Sequence, residues 1–171
     1  MKVRIPLIRR DSSYIAVSTP PATMSVAYCI LTRARASRSA PRLKEFFLLV
    51  SKQPNVLSSL AYHDYEGIAV RPDEQPRLQN DLGGAIFFML RNHGLLTVGA
   101  TVADAFLAMY AFETTCQIQL AAQSSGAKLI PVKPDIIEGV EHAVEAQGLG
   151  GSLVWPALIR KLYRIDPSYK Q

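Results

Sequence analysis

Apolar and polar positions alternate in a readable way chiefly in the second half of the chain. Ile86-Phe87-Phe88-Met89-Leu90 is an unbroken apolar run, too short and too aromatic for a helix, and it reads as a strand. Arg91-Asn92-His93-Gly94 then supplies turn residues, and Leu95-Leu96-Thr97-Val98 is a second apolar strand. The pattern predicts a hairpin with His93 at its tip. After Gly99, Thr101-Val102-Ala103-Asp104 fits a capping box, in which the Thr101 hydroxyl accepts an N–H of the first turn and Asp104 reaches back, its charge suiting the positive helix end. From there Ala105, Phe106, Met109, Phe112, Cys116 and Leu120 recur every three or four positions, which predicts one apolar helix face ending at Gly126. Such a helix has roughly six turns, enough to cover a sheet.

Upstream, residues 61–70 place His63, Asp64, Tyr65 and Glu66 side by side before a short strand. A helix is expected from Asp73 or Pro76 through Leu82, closed by Gly83-Gly84. Beyond Gly126 come an extended exit, a helix over 135–147, a glycine break at 148–151, and a last amphipathic helix over 155–162 with Pro156 in its first turn. The N-terminal third is less orderly. Tyr14-Ile15-Ala16-Val17 is strand-like, whereas 32–41 follows neither a period of two nor of 3.6, and 45–50 is apolar without polar partners in register. Local signals that contradict one another speak against a well-formed element there.

A chain of 171 residues, 49% of them hydrophobic, is long enough for one domain with a sizeable core. No apolar run is long enough to span a bilayer, and Arg9-Arg10-Asp11 breaks any signal-peptide core, so a cytoplasmic protein with no membrane partner is expected. Cys29 and Cys116 lack metal-binding spacing and read as two reduced thiols. The net charge of +5 raises nucleic acid as a partner until it is split by position. Residues 1–57 hold ten Lys and Arg against Asp11 and Glu45, whereas the remainder holds nine against twelve acids. Arginines 33, 35, 38 and 42 alternate with small residues and carry no aromatic to stack on bases, so no nucleic-acid partner is expected.

The stretch NHGLLTVGATVADAF resembles the class II aldolase/adducin family, in which an N-H-G turn is followed by a short strand, a glycine and a helix opening T-x-x-[DE]-A-F. AYHDYEGIAV, AYAFETTCQIQLAA and GGSLVWPALIRKLYRIDPSY look similar to a bacterial branch of it, and the likeness runs from about residue 58 to the end. The resemblance implies a three-layer α/β/α sandwich with a mostly antiparallel central sheet, assembled as a homotetramer with sites between subunits. It further implies a zinc-dependent aldehyde-lyase that cleaves a small sugar-phosphate-like hydroxy-carbonyl compound, or, as in adducins, a non-catalytic scaffold. In the enzymes zinc is held by an H-x-H pair and by the histidine matching His93, and it polarises an enediolate oxygen while a carboxylate moves the proton. Asn92 and Gly94 flank that ligand and are carried with it as substrate-side residues.

This chain departs from the pattern. Its histidines are His63, His93 and His142, and none forms an H-x-H. The Ser-Gly-Glu motif that brings the family's carboxylate is also absent, so no catalytic residue is assigned. Zinc needs three protein ligands, and the chain is expected not to bind it. Where H-x-H belongs, just after Cys29, synonymous codons read across their boundaries can spell HTHTRAGVAVSAQ for 29–42. Residues 30–57 are therefore expected to be an out-of-frame segment, leaving 1–57 a degraded N-terminal part and 58–171 the recognisable domain. Without a metal, His93 is simply a turn residue between Asn and Gly. His63 with Asp64 and Glu66 reads either as a substrate-side group or as a polar loop, and Tyr65 either as a substrate contact or as a polar-tipped core cap.

Overall fold

The computed structural model describes residues 14–17, 28–32, 54–67, 73–126, parts of 128–139, and 150–170. They form an α/β fold around a five-stranded mixed sheet of order β1-β2-β5-β4-β3, with β1 at Tyr14–Val17, β2 at Tyr28–Thr32, β3 at Leu60–His63, β4 at Phe87–Leu90 and β5 at Gly94–Gly99. The pairs β1–β2, β2–β5 and β5–β4 are antiparallel, while β3 runs parallel to β4. Helix α1 (Pro54–Leu57) precedes β3, and α2 (Glu74–Leu82) makes the crossover that a parallel β3–β4 pair requires. Helices α3 (Val102–Ser124) and α4 (Gly151–Ile165) follow the hairpin.

All four residues of β4 are buried because the strand is covered on both faces. Phe87 and Met89 point into one cluster with Leu95, Ala105, Ala108, Met109, Phe112, Cys116 and Val56, so α3 and α1 close that side. Phe87 and Phe112 meet edge to face, ring centroids 5.6 Å apart. Phe88 and Leu90 point the other way, into a cluster with Leu82, Leu96 and partly buried Leu78 from α2. An unbroken apolar run is what a strand buried on both faces should show.

The hairpin and the Thr101 cap stand as expected, but the reciprocal bond differs. The Thr101 hydroxyl accepts the Asp104 N–H at 3.1 Å. The Asp104 carboxylate accepts a hydrogen bond from the Thr101 hydroxyl at 2.7 Å and, through its other oxygen, one from the N–H of Gly151 at 3.1 Å. The Thr101 hydroxyl thus caps α3 and the Asp104 carboxylate caps α4, which explains why α4 starts at Gly151 instead of Trp155. Glycine is required on both sides of this joint: a Cβ on Gly99 would lie 2.5 Å from the Ala105 nitrogen, and one on Gly151 2.5 Å from the Ala103 carbonyl carbon.

Three further readings need correction. Phe106 is 40% exposed and packs edge to face on Trp155, while Thr115 and Gln119 join the buried face of α3. His63 ends a strand, Leu60–His63, that lies before the polar tetrad; the strand expected after it falls outside the described residues. β2 carried no readable sequence signal, yet it pairs with β5 from Tyr28↔Gly99 to Thr32↔Leu95. The expected helix over 135–147, His142 included, lies largely outside the described residues.

Truncating Phe112 to alanine removes the ring that β4 packs on and is expected to cost about 3–5 kcal/mol of stability, measured by urea unfolding. Burial, reinforced by nearby Glu113, pushes the Cys116 thiol well above the usual cysteine range. A Cys29→Ser chain, in which Cys116 is the remaining thiol, should therefore react with a thiol reagent only as fast as the core opens. Labelling on mixing would show that the core is not closed.

Candidate functional site

Two groups of polar residues stand at the ends of β3, β4 and β5. The first is the β4–β5 turn. Asn92 adopts φ 56°, a left-handed conformation that asparagine tolerates, and this turns the chain so that His93 donates its N–H to the Leu90 carbonyl at 3.0 Å. Gly94 opens β5 opposite Leu90 and is buried. His93 is half-buried at the end of the hairpin.

The second group is built on β3 and α2. The last residue of β3, His63, is 5% exposed, and its Nδ1 lies 2.7 Å from Asp81 Oδ2. Its Nε2 faces Glu74 at 3.6 Å and Glu66 at 4.0 Å and makes no hydrogen bond. Glu74 and Asp81 are seven residues apart on α2, two turns along one face, so one imidazole engages both ends of the helix. Glu66 is bound by Arg77, whose Nε donates to it at 2.7 Å, and Arg77 also reaches Asp73. Glu66 first, and then Asp73, hold the Arg77 guanidinium above even its usual high range.

Asp64 is exposed and pairs with Arg91 at 3.2 Å, and Arg91 lies over the Tyr62 ring, 5.0 Å from its centroid. Together Tyr62, His63, Asp64, Glu66, Asp81 and Arg91 line an open hollow of about 380 Å³.

Of the residues singled out by sequence, His63, Asp64 and Glu66 come together at this hollow; Tyr65 is 51% exposed beside it, and Asn92, His93 and Gly94 form the turn instead. Sequence reasoning missed Glu74, Asp81, Arg77 and Arg91. The seven-residue spacing of Glu74 and Asp81 on an expected helix was the available signal for two of them. The polar-loop reading of His63 is corrected: it is a buried strand residue held between carboxylates.

The zinc implied by the resemblance does not fit the residues described. His63 is committed to Asp81 and fenced by Glu74, His93 stands in the turn, and among the described residues no group of three or more His, Cys, Asp or Glu is placed to hold a metal ion. The hollow is instead edged by the Asp64–Arg91 ion pair, with Arg91 stacked on the Tyr62 ring.

A mixed sheet flanked by α3 and α2, with an N-H-G hairpin leading into a capped helix, defines a class that comparison identifies. The profile of the "Class II Aldolase and Adducin N-terminal domain" matches residues 18–120, and the chain belongs to that family. It is 43% identical over 150 residues to a Pseudomonas aeruginosa protein provisionally named a class 2 aldolase, a match covering 84% of this chain and 58% of that protein. An aldolase II superfamily protein from Pseudomonas syringae superposes with a TM-score of 0.76 at 35% identity, over 84% of this chain and 59% of that one. The L-fuculose 1-phosphate aldolase of Glaciozyma antarctica shares the fold, with a TM-score of 0.67 at 18% identity over 82% of this chain and 53% of the enzyme. The chain spans about half the length of the curated relatives it matches. Among the described residues no helix is long and apolar enough to cross a membrane.

Replacing His63 by alanine leaves Asp81 without its hydrogen-bond partner and Glu74 without the imidazole it faces, and is expected to destabilise the chain by about 1–3 kcal/mol. An Asp64→Ala chain, which loses only an exposed ion pair, should change by less than about 1 kcal/mol. Urea titrations of the two variants would check the contrast.

Proposed function

We propose that this chain is a class II aldolase-type protein whose original activity is metal-dependent aldol cleavage of a small sugar-phosphate-like hydroxy-carbonyl compound, and that the activity is impaired here. The cleavage leaves negative charge on a carbonyl-derived oxygen, which the enzymes of the family stabilise with a metal Lewis acid. Of the three histidines, only His93 stands at the family's ligand position. The carrying observation is the register of β2. Its pairing with β5 ends at Thr32↔Leu95, and β5 begins directly after His93, so the segment in which the alternate frame spells H-x-H lies beside the β5 end that follows His93. Such a placement is what a three-histidine centre needs, and it supports reading 30–57 as an out-of-frame segment within one domain, with 58–171 in frame. The two hydrophobic clusters on opposite faces of the sheet support the three-layer, mostly antiparallel sandwich.

The second reading is a non-catalytic, adducin-like assembly module. The exposed apolar side chains of α4, Leu153 in its first turn and Leu162 and Ile165 in its last turns, favour it. In either reading the protein acts in the cytoplasm, self-associates as a homotetramer, and takes neither nucleic acid nor membrane as partner.

Zinc content and sugar-phosphate cleavage should be compared between this chain and one in which 30–57 is replaced by the alternate-frame segment. The chain as it stands is expected to hold far less than stoichiometric zinc and to cleave nothing, and the repaired chain to hold stoichiometric zinc. Full zinc loading of the unrepaired chain, or none in the repaired one, would sink the reading. Cleavage by the repaired chain alone would favour the lyase over the scaffold.

A further inference from the structure

His63 ends β3 with its side chain 6% exposed, and its Nδ1 lies 2.7 Å from Asp81 Oδ2. An ionised carboxylate only accepts, so the hydrogen in that bond belongs to Nδ1. With a single N–H the ring turns a bare lone pair at Nε2 toward Glu74 Oε1, 3.6 Å away, and Glu66 Oε1, 4.0 Å away. All three atoms are then acceptors, and Nε2 is buried without a hydrogen-bond partner. A second proton removes the conflict, because it makes Nε2 a donor facing Glu74 and the ring a cation among carboxylates.

Three parts of the fold surround the ring. Helix α2 presents Glu74 and Asp81, the segment after β3 presents Glu66 and, across the hollow, Asp64, and β4 presents the Phe88 ring, centroids 6.1 Å apart, with Arg91 just beyond the strand. Both arginines are committed elsewhere. Arg77 binds Glu66 and Asp73, and Arg91 pairs with Asp64 and lies over Tyr62. Glu74, its side chain 10% exposed, faces no cation but His63 among the described residues. A buried carboxylate without a partner is costly, so the seating of Glu74 depends on the charge of the imidazole.

We propose that His63 is a pH-operated latch between β3 and α2. With both ring nitrogens protonated, Nδ1–H donates to Asp81 and Nε2–H to Glu74, and because these acids stand at opposite ends of α2 the helix is tied down along its length. As the pH rises the Nε2 proton passes to solvent and the lone pair returns. The Glu74 end of α2 is then released, while Asp81, Leu78 and Leu82 hold the other end. The Glu74 contact is therefore present on the acid side of histidine titration and lost on the alkaline side. Its effect reaches beyond the helix. The His63 carbonyl accepts the Arg91 N–H at 3.0 Å, directly before the Asn92-His93-Gly94 turn, and His63, Glu66 and Asp81 line one hollow, so a single proton changes the charge of that hollow as well as the seat of α2.

Ring and helix are read together in the full chain between about pH 5 and about pH 8, where histidine changes charge and ordinary carboxylates do not. Nitrogen NMR of the imidazoles follows the protonation of His63, assigned by its loss in a His63→Gln chain, and amide hydrogen exchange gives protection factors over 78–82 of α2. In the original chain that protection is expected to fall about tenfold from the acid to the alkaline end, in step with deprotonation of His63, for the loss of one hydrogen bond to a charged group. His63→Gln should abolish the pH dependence. Glu74→Gln should abolish it too, since the new amide can donate to the bare Nε2, and should leave α2 better protected than the original chain at the alkaline end. If His63→Gln does not fold, the original chain and Glu74→Gln decide between the outcomes. A His63 that stays singly protonated throughout, a flat exchange profile in the original chain, or a pH dependence that either variant retains overturns the latch.

Discussion

The constraint on which the structure depends is the burial of β4 on both faces. A strand with Phe87 and Met89 on one side and Phe88 and Leu90 on the other cannot leave either face to water, so two covering layers must come from the chain. Helix α3 supplies one because its Ala105, Ala108, Met109, Phe112 and Cys116 lie along one stripe. The other comes from α2, whose role as the β3–β4 crossover places Leu78 and Leu82 over the opposite face. Closing the β4–β5 hairpin then fixes His93 at one end of the sheet and brings the end of β5 against the first turn of α3.

That second contact is tight enough to set the chemistry of its residues. Gly99 and Gly151 both approach α3 where a Cβ would collide with backbone, and the Asp104 carboxylate bridges the starts of α3 and α4. The Thr101 hydroxyl caps α3 and the Asp104 carboxylate caps α4, and the charge of Asp104 lies where both helix dipoles favour it. At the other end of the fold His63 plays the corresponding part between β3 and α2. Its ring is buried, held by Asp81 and faced by Glu74, so the histidine that sequence offers as a chemical group serves first to join two elements. The open, polar hollow beside it is left to Asp64, Arg91 and Tyr62.

The sheet is assembled from two stretches that lie far apart in the chain. The later stretch, with His93 and the helix after it, keeps the family's pattern. The earlier stretch forms β2 and adds to the sheet, because backbone pairing tolerates almost any side chain that fits a pleated surface, whereas ligation tolerates very few.

Sequence by itself determined the elements whose signals are local. The β4–β5 hairpin, the Thr101 cap, the long α3, the extent of α2 and the strand Tyr14–Val17 all follow from periodicity, turn residues and caps within a few positions of each other. The family was legible for the same reason, since its motif is a continuous run. What only the tertiary structure decided are contacts between residues far apart in the chain. Leu60–His63 is a strand because β4 offers an edge to pair with, β2 because β5 does, and α4 begins at Gly151 because Asp104, 47 residues earlier, accepts its N–H. Phe106, apolar and in phase with the core stripe, stays half outside because Trp155 meets it there. Glu74 and Asp81 were readable as one face of a helix, but that the face closes on a buried histidine depends on how α2 lies against β3, and no local pattern encodes that.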